Sequence, residues 1–213
     1  DIRAVAELAH QAGALVIVDN TFMTPYFQNP LKEGADVVVH SGTKYLSGHN
    51  DTVCGFLCSG NQELADRFRL LSKTTGATLG PFESWLCLRG LKTLALRMER
   101  HKSNAEAVSR WLREQSVVTN VYYAGSGMIS FTVTSSEIAV AILKNIRLIT
   151  FAESLGGTES LLTYPAVQTH PDVPREQREK LGITDTLLRL SVGIENPDDI
   201  IADLKQAFEN AEK

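Results

Sequence analysis

The first half of the chain is predicted to be an α/β sheet and the second half an α+β layer. Three observations carry this prediction. Short apolar runs at 14–18, 36–40 and 53–58 are separated by helical or loop-like segments, the pattern of strands joined by crossovers. Period-two alternation then begins at Gly127, as a half-buried strand requires. The chain closes on an amphipathic segment over 197–212.

In order, residues 1–12 place Ile2, Val5, Ala6, Leu8 and Ala9 at helical spacing, and Gly13 stops the helix. Residues 14–18 form a continuous apolar run ending at Asp19, read as a strand buried on both faces. Residues 25–30, with Pro25 and Pro30, are loop or short helix at best. The runs at 36–40 and 53–58 give a second and third strand. Helices are expected over 61–72 and 81–115, the latter interrupted near Gly90. A strand over 127–133, a helix over 136–145, a strand over 187–192 and the terminal helix complete the chain. The domain boundary is placed inside the long helix, dividing 1–112 from 113–213. A helix feeding a central strand with nothing before it reads as the back part of a longer protein.

A formal net charge of -4 argues against nucleic acid or an anionic membrane as partner. No apolar run approaches the ~20 residues that span a bilayer, and residues 1–10 do not read as a signal peptide. Cys54, Cys58 and Cys87 are an odd set without CxxC spacing among apolar neighbours. Reduced, buried thiols and a cytoplasmic location are expected.

Two strand ends carry candidate chemistry, because ligands of α/β sheets bind at the carboxyl ends of strands. Asp19 ends the first strand; its carboxylate can meet a cationic ring nitrogen or a metal, or simply cap Thr21. Ser41-Gly42-Thr43-Lys44 follows the second strand. Its hydroxyls and glycine-flanked backbone can bind phosphate, and a desolvated lysine amine can form a Schiff base. Taken alone, the motif is more often a surface turn with a solvated lysine. The spacing is not that of a P-loop. The two segments together match what pyridoxal 5'-phosphate (PLP) requires: an acid for the pyridine nitrogen, hydroxyls for the phosphate and a lysine for the aldehyde. His40, His49 and Asp51 lack metal-ligand spacing and no metal is expected. Trp85 and Trp111 read as core, and His170 as a loop residue.

Residues 18–26 (Val-Asp-Asn-Thr-Phe-Met-Thr-Pro-Tyr) and 40–49 (His-Ser-Gly-Thr-Lys-Tyr-Leu-Ser-Gly-His) resemble the Cys/Met-metabolism PLP family of cystathionine synthases and lyases. So do residues 88–94, 152–157 and 189–195. The likeness runs through essentially the whole chain. It implies the C-terminal part of a fold type I, aspartate aminotransferase-like large domain plus a small α+β domain. It also implies Lys44 as the cofactor lysine, Asp19 at the pyridine nitrogen, Ser41 and Thr43 at the phosphate, and Arg189, Ser154 and Glu153 at the substrate.

The implied activity is PLP-dependent transsulfuration of a small amino-acid substrate in methionine biosynthesis, by a homo-oligomer (dimer or tetramer). The cystathionine γ-synthase type comes first, with a cystathionine β- or γ-lyase as alternative. A non-catalytic C-terminal fragment is the rival from another class. The family's N-terminal phosphate loop and ring-stacking tyrosine are not in this sequence. The short stretch 122–128 resembles a bacterial subgroup with γ-synthases.

Overall fold

Asp1 caps the first helix, its carboxylate accepting from the Ala4 amide at 3.2 Å, so that α1 spans Ile2–Gln11. Gly13, at φ 72°, then turns the chain. The computed structural model describes all residues, 1–213. It divides into two compact units, Asp1–Ala95 and Leu96–Lys213.

The first unit is built on a three-stranded sheet in the order β1-β2-β3, with β1 Ile17–Asp19, β2 Val37–Ser41 and β3 Gly55–Cys58. β1 and β2 are parallel, pairing Ile17 with Val37, whereas β3 runs antiparallel to β2. The crossover between β1 and β2 contains α2 (Thr24–Phe27) and a 3-10 turn, Pro30–Glu33. Asp36 fastens the sheet's entry, its Oδ2 accepting from Val16 N at 2.7 Å and lying 2.9 Å from His10 Nε2. Those two bonds hold its carboxyl below the ordinary carboxylate range, the Val16 amide contributing most.

Only β2 has the burial expected of a central strand. In β1, Ile17 is 64% exposed, and β3 is exposed at three of its four positions. The continuous apolar run therefore does not mark a strand covered on both faces in this chain: β1 is an edge, paired on one side only. Of the thiols, Cys87 is buried, Cys54 half-buried and Cys58 exposed, which corrects the expectation that all three are buried.

Asn61 caps α3 (Gln62–Thr75), which ends at Gly76 with φ 73°. The expected long helix divides into α4 (Pro81–Leu91) and α5 (Leu94–Leu112). At the break the Thr93 hydroxyl donates to Gly90 O at 3.1 Å. Gly90 is there for space: a methyl group on it would lie 2.9 Å from the Ser47 carbonyl carbon and closer still to its oxygen. Trp85 on α4 is 54% exposed, stacked on Phe82 with Arg89 over its ring; it is not core. The two units divide at the head of α5, whereas the sequence predicts a domain boundary at its tail.

The second unit is a five-stranded sheet in the order β4-β5-β8-β7-β6. Its strands are β4 Val118–Tyr123, β5 Met128–Val133, β6 Thr150–Phe151, β7 Leu161–Thr163 and β8 Leu187–Ser191. α6 (Ser136–Asn145), α7 (Pro165–Gln168), α8 (Arg175–Lys180) and α9 (Pro197–Ala211) complete it. The core joins Val108 and Leu112 of α5, Ile129 and Phe131 of β5, Leu188 and Leu190 of β8, and Leu204 and Phe208 of α9. Trp111 packs at its margin. β5 is buried at five of six positions rather than alternating, because β4 and β8 flank it and helices cover its face. Asp203 on α9 accepts from the amides of Arg147, Leu148 and Ile149 at 2.8–3.1 Å, tying the approach to β6 onto the helix. No helix of the chain is long and apolar enough to cross a membrane.

Candidate active site

In the first unit the parallel pair β1 and β2 brings Asp19 and Ser41 to the same end of the sheet. Asp19 Oδ1 accepts from the Thr21 hydroxyl at 2.6 Å and the Thr21 amide at 3.0 Å. Thr21 Oγ1 in turn accepts from Ser41 N at 2.8 Å. Thr21 thus links the two strand ends, a role the sequence reading reduced to a capped residue; the Asp-x-Thr spacing was the available signal. Asp19 itself is exposed and only its Oδ1 takes a protein hydrogen bond, so Oδ2 is open to a donor.

After β2 the chain makes one irregular π-type turn, Gly42–Leu46, in which Lys44 departs from helical dihedrals at φ -88°, ψ -129°. Such interruptions recur at functional sites. The turn is tightly held. Gly42 has no room for a Cβ, which would meet Cys54 Sγ and the Phe56 ring at 2.6 Å. Tyr45 is fully buried. Ser47 N donates to Gly42 O at 3.0 Å and Gly48 N to Lys44 O at 2.8 Å. The amine of a half-buried lysine is therefore presented by a fixed backbone.

The two hydroxyls differ. Ser41 Oγ makes no hydrogen bond within the protein and remains a donor for a ligand. Thr43 Oγ1 accepts from Cys54 N at 3.0 Å and makes a longer 3.3 Å contact to Cys54 O as donor. Its lone pair is engaged, whereas its O–H can leave the longer contact for a phosphate oxygen.

His40, buried at the end of β2, has its pKa lowered by burial against the opposing pull of Asp19. Its Nδ1 has no protein partner. His49 Nδ1 lies 2.7 Å from Ser47 O. Both histidines thus belong to the loop around Lys44.

In the second unit Arg189 lies at the middle of β8, opposite Ser130 of β5 and Thr163 of β7. Burial lowers its pKa while the charge of Glu153 opposes the shift. Its Nε is buried without a hydrogen-bond partner, and an unpaired buried donor on a guanidinium is costly unless an anion takes it. Glu153 and Ser154 lie on the segment entering from β6. Ser154 has φ 101°, a left-handed conformation that costs a non-glycine residue about 1–3 kcal/mol. Sequence reasoning missed the two hydroxyls that pin this segment. Thr163 Oγ1 donates to Ala152 O at 2.9 Å, and Gly156 N donates to Ser191 Oγ at 2.9 Å. The pairing of β7 with β8, invisible in so short a strand, is what places them.

Comparison with known proteins shows the family. The family model described as "Cys/Met metabolism PLP-dependent enzyme" matches residues 1–209. A cystathionine γ-synthase of Haemophilus influenzae is 53% identical over 211 residues, covering 99% of this chain and 57% of that protein. A Bacillus subtilis cystathionine γ-synthase/O-acetylhomoserine (thiol)-lyase is 48% identical over 209 residues, 98% of this chain and 56% of that protein. A cystathionine γ-lyase of the same organism is 47% identical over 227 residues, 99% and 60%. Among solved structures, cystathionine γ-lyase from Lactobacillus plantarum complexed with L-serine superposes with a TM-score of 0.96 at 40% identity, covering 99% of this chain and 60% of that one. The chain spans less than two thirds of the length of these relatives.

Proposed function

Because the chain belongs to the Cys/Met metabolism PLP-dependent enzyme family, we propose that it is the lysine-bearing part of a PLP-dependent transsulfuration enzyme of the cystathionine γ-synthase type. The reaction would replace the γ-substituent of an O-acylhomoserine with the sulfur of cysteine. The observation that carries the choice is alignment length. The two synthase relatives align over 211 and 209 residues, within the 213 of this chain. The γ-lyase needs 227, so it carries residues that this chain lacks. The short connection between β4 and β5 is consistent with that compactness.

The residues present fit the cofactor. Asp19 Oδ2 would accept the ring N–H, an ion pair that keeps the nitrogen protonated. Ser41 and Thr43 would donate to phosphate oxygens, and the Lys44 amine would bond the aldehyde carbon. When bound, PLP supplies an electron sink for charge developing at the substrate Cα. Arg189 would hold the α-carboxylate as a two-point donor, which suits a guanidinium better than an ammonium; its unpartnered Nε supports this. Ser154 would sit beside the same carboxylate. Released from the cofactor carbon, the Lys44 amine would take the Cα proton. Glu153 would lie near the substrate side chain. By the resemblance alone, the enzyme works in the cytoplasm as a homo-oligomer.

Borohydride trapping tests the cofactor role. Protein mixed with PLP, reduced and digested should carry phosphopyridoxyl mass on the Lys44 peptide, and Lys44→Ala should abolish it. Scattered labelling on other lysines would defeat the assignment and favour a non-catalytic fragment. Supplying O-acylhomoserine with cysteine, and cystathionine separately, then chooses the reaction. Homocysteine and pyruvate from cystathionine, with no synthesis, would replace the γ-synthase reading by a β-lyase.

A further inference from the structure

We propose that Ser191 and Thr163 are positioning residues for the Glu153–Ser154 segment, and that they thereby set the recognition of an α-carboxylate by Arg189. The proposal deepens the reading above and rests on it.

The sheet places these groups together. Thr163 pairs directly with Arg189 across β7 and β8, and Ser191 follows Arg189 by two residues. In a pleated sheet, side chains directly opposite one another or two apart share a face. Arg189 is therefore flanked on its own face by two hydroxyls, Thr163 beside it and Ser191 farther along β8. Both residues are 1% exposed.

Each hydroxyl holds one end of the same short segment. Ala152 at its start gives its carbonyl to Thr163 Oγ1, and Ala152 N also donates to Leu162 O at 3.3 Å. Gly156 at its end gives its N–H to Ser191 Oγ. Between the two anchors lie Glu153, whose charge reaches Arg189, Ser154 with its left-handed backbone, and buried Leu155.

A serine does not adopt φ 101° by local preference. Pinning both ends of a five-residue segment supplies the restraint. If either anchor is lost, Ser154 can relax to negative φ and carry its side chain away from the strand. Arg189, fixed in β8, would stay. The carboxylate would then keep its charge partner and lose the second wall of its site.

The test uses the PLP-loaded holoenzyme and two amines, read by the change each causes in the cofactor's absorption spectrum. L-Serine is the ligand of the Lactobacillus structure, and ethanolamine is the same molecule without its carboxylate. Ser191→Ala and Thr163→Val should each raise the Kd of L-serine about tenfold, the scale of one lost buried hydrogen bond, and leave that of ethanolamine within about twofold. Thr163→Ser keeps the hydroxyl and should bind both like the unaltered protein. Arg189→Ala is the reference and should weaken L-serine alone. If Arg189→Ala does so while both anchor variants leave L-serine unchanged, or weaken the two amines equally, the positioning proposal is overturned and the carboxylate assignment stands. If Arg189→Ala does not distinguish the two amines, the carboxylate assignment fails and the proposal falls with it. Should Ser191→Ala not fold, the Thr163 pair decides alone.

Discussion

Replacing Gly90 with alanine sets two opposing effects against each other. Within α4, alanine improves helix propensity over glycine by about 1 kcal/mol. The added methyl group would, however, meet the Ser47 backbone, at 2.9 Å from the carbonyl carbon and 3.0 Å from Cα, with the oxygen nearer still. Backbone cannot rotate aside as a flexible side chain can, so helix and turn must separate. Overpacking of that kind costs about 1–3 kcal/mol, and this contact lies toward the upper end. The net expectation is destabilisation by about 1–2 kcal/mol, or a urea midpoint lower by roughly 0.5–1 M. Because Ser47 closes the Lys44 turn through its bond to Gly42 O, the PLP concentration needed for half-maximal borohydride labelling of Lys44 should rise as well. Gly60→Ala is the control, since nothing lies within 4 Å of a methyl group there. A Gly90→Ala midpoint at or above that of the unaltered protein would refute the view that α4 presses on a rigid lysine turn.

Three other perturbations read the second unit and the sheet entry. His101 is fully buried, and burial pushes its pKa down from 6.5 to about 4, although its Nδ1 lies 2.7 Å from Val192 O. The unfolded chain therefore binds the proton more readily, so stability is complete above pH 6.5 and declines as pH falls toward 4, by about 3 kcal/mol in all. Urea unfolding at stepped pH should show that loss, and His101→Gln should flatten it; an unchanged slope would remove His101 as its source. Asp203→Ala leaves the amides of Arg147, Leu148 and Ile149 without their acceptor and should cost about 3 kcal/mol in the same assay, whereas a loss under 1 kcal/mol would mean that water replaces the carboxylate. Asp36, whose carboxyl is held low chiefly by the Val16 amide and then by His10, contributes stability present above the ordinary carboxylate pKa and lost as pH falls through its lowered folded value. Asp36→Asn should remove that acid-side decline, and a variant that keeps it would exclude this carboxylate.

The candidate lysine turn stood out in the sequence because its signals are local. Asp19 and the Ser41–Lys44 turn each sit at the end of a short apolar run, and parallel pairing of those runs brings the ends together. The helix limit at Gly13 was readable for the same reason, whereas the helix expected over 61–72 runs on to Thr75, and Gly76 as its stop was not read. Burial was less readable, since it depends on what covers a strand. Leu15 and Ile17 have the composition of a central strand yet are 59% and 64% exposed, and Met128–Val133 alternates in sequence while lying almost wholly inside. The pairing of Thr163 with Arg189 escaped notice because β7 has only three residues and joins β8 across a long loop and two short helices.

The two principal groups of the proposed site stand on backbones of unlike kinds, a strand and a turn, and each backbone is fastened in its own way. Arg189 is carried by a strand laddered on both sides, by β5 and β7, and amides in such a position open rarely. Lys44 is carried by one irregular turn that follows β2, the central strand of a three-stranded sheet. A clamp for a carboxylate gains from standing still, because any wandering of the guanidinium is subtracted from its affinity. A lysine that would alternate between bonding a carbon and carrying a proton needs freedom in its side chain, not in its backbone. Hydrogen exchange should therefore be slow along Leu187–Ser191 and also at the Ser47 and Gly48 amides that close the lysine turn, so that under the proposed function the motion would belong to the lysine side chain alone.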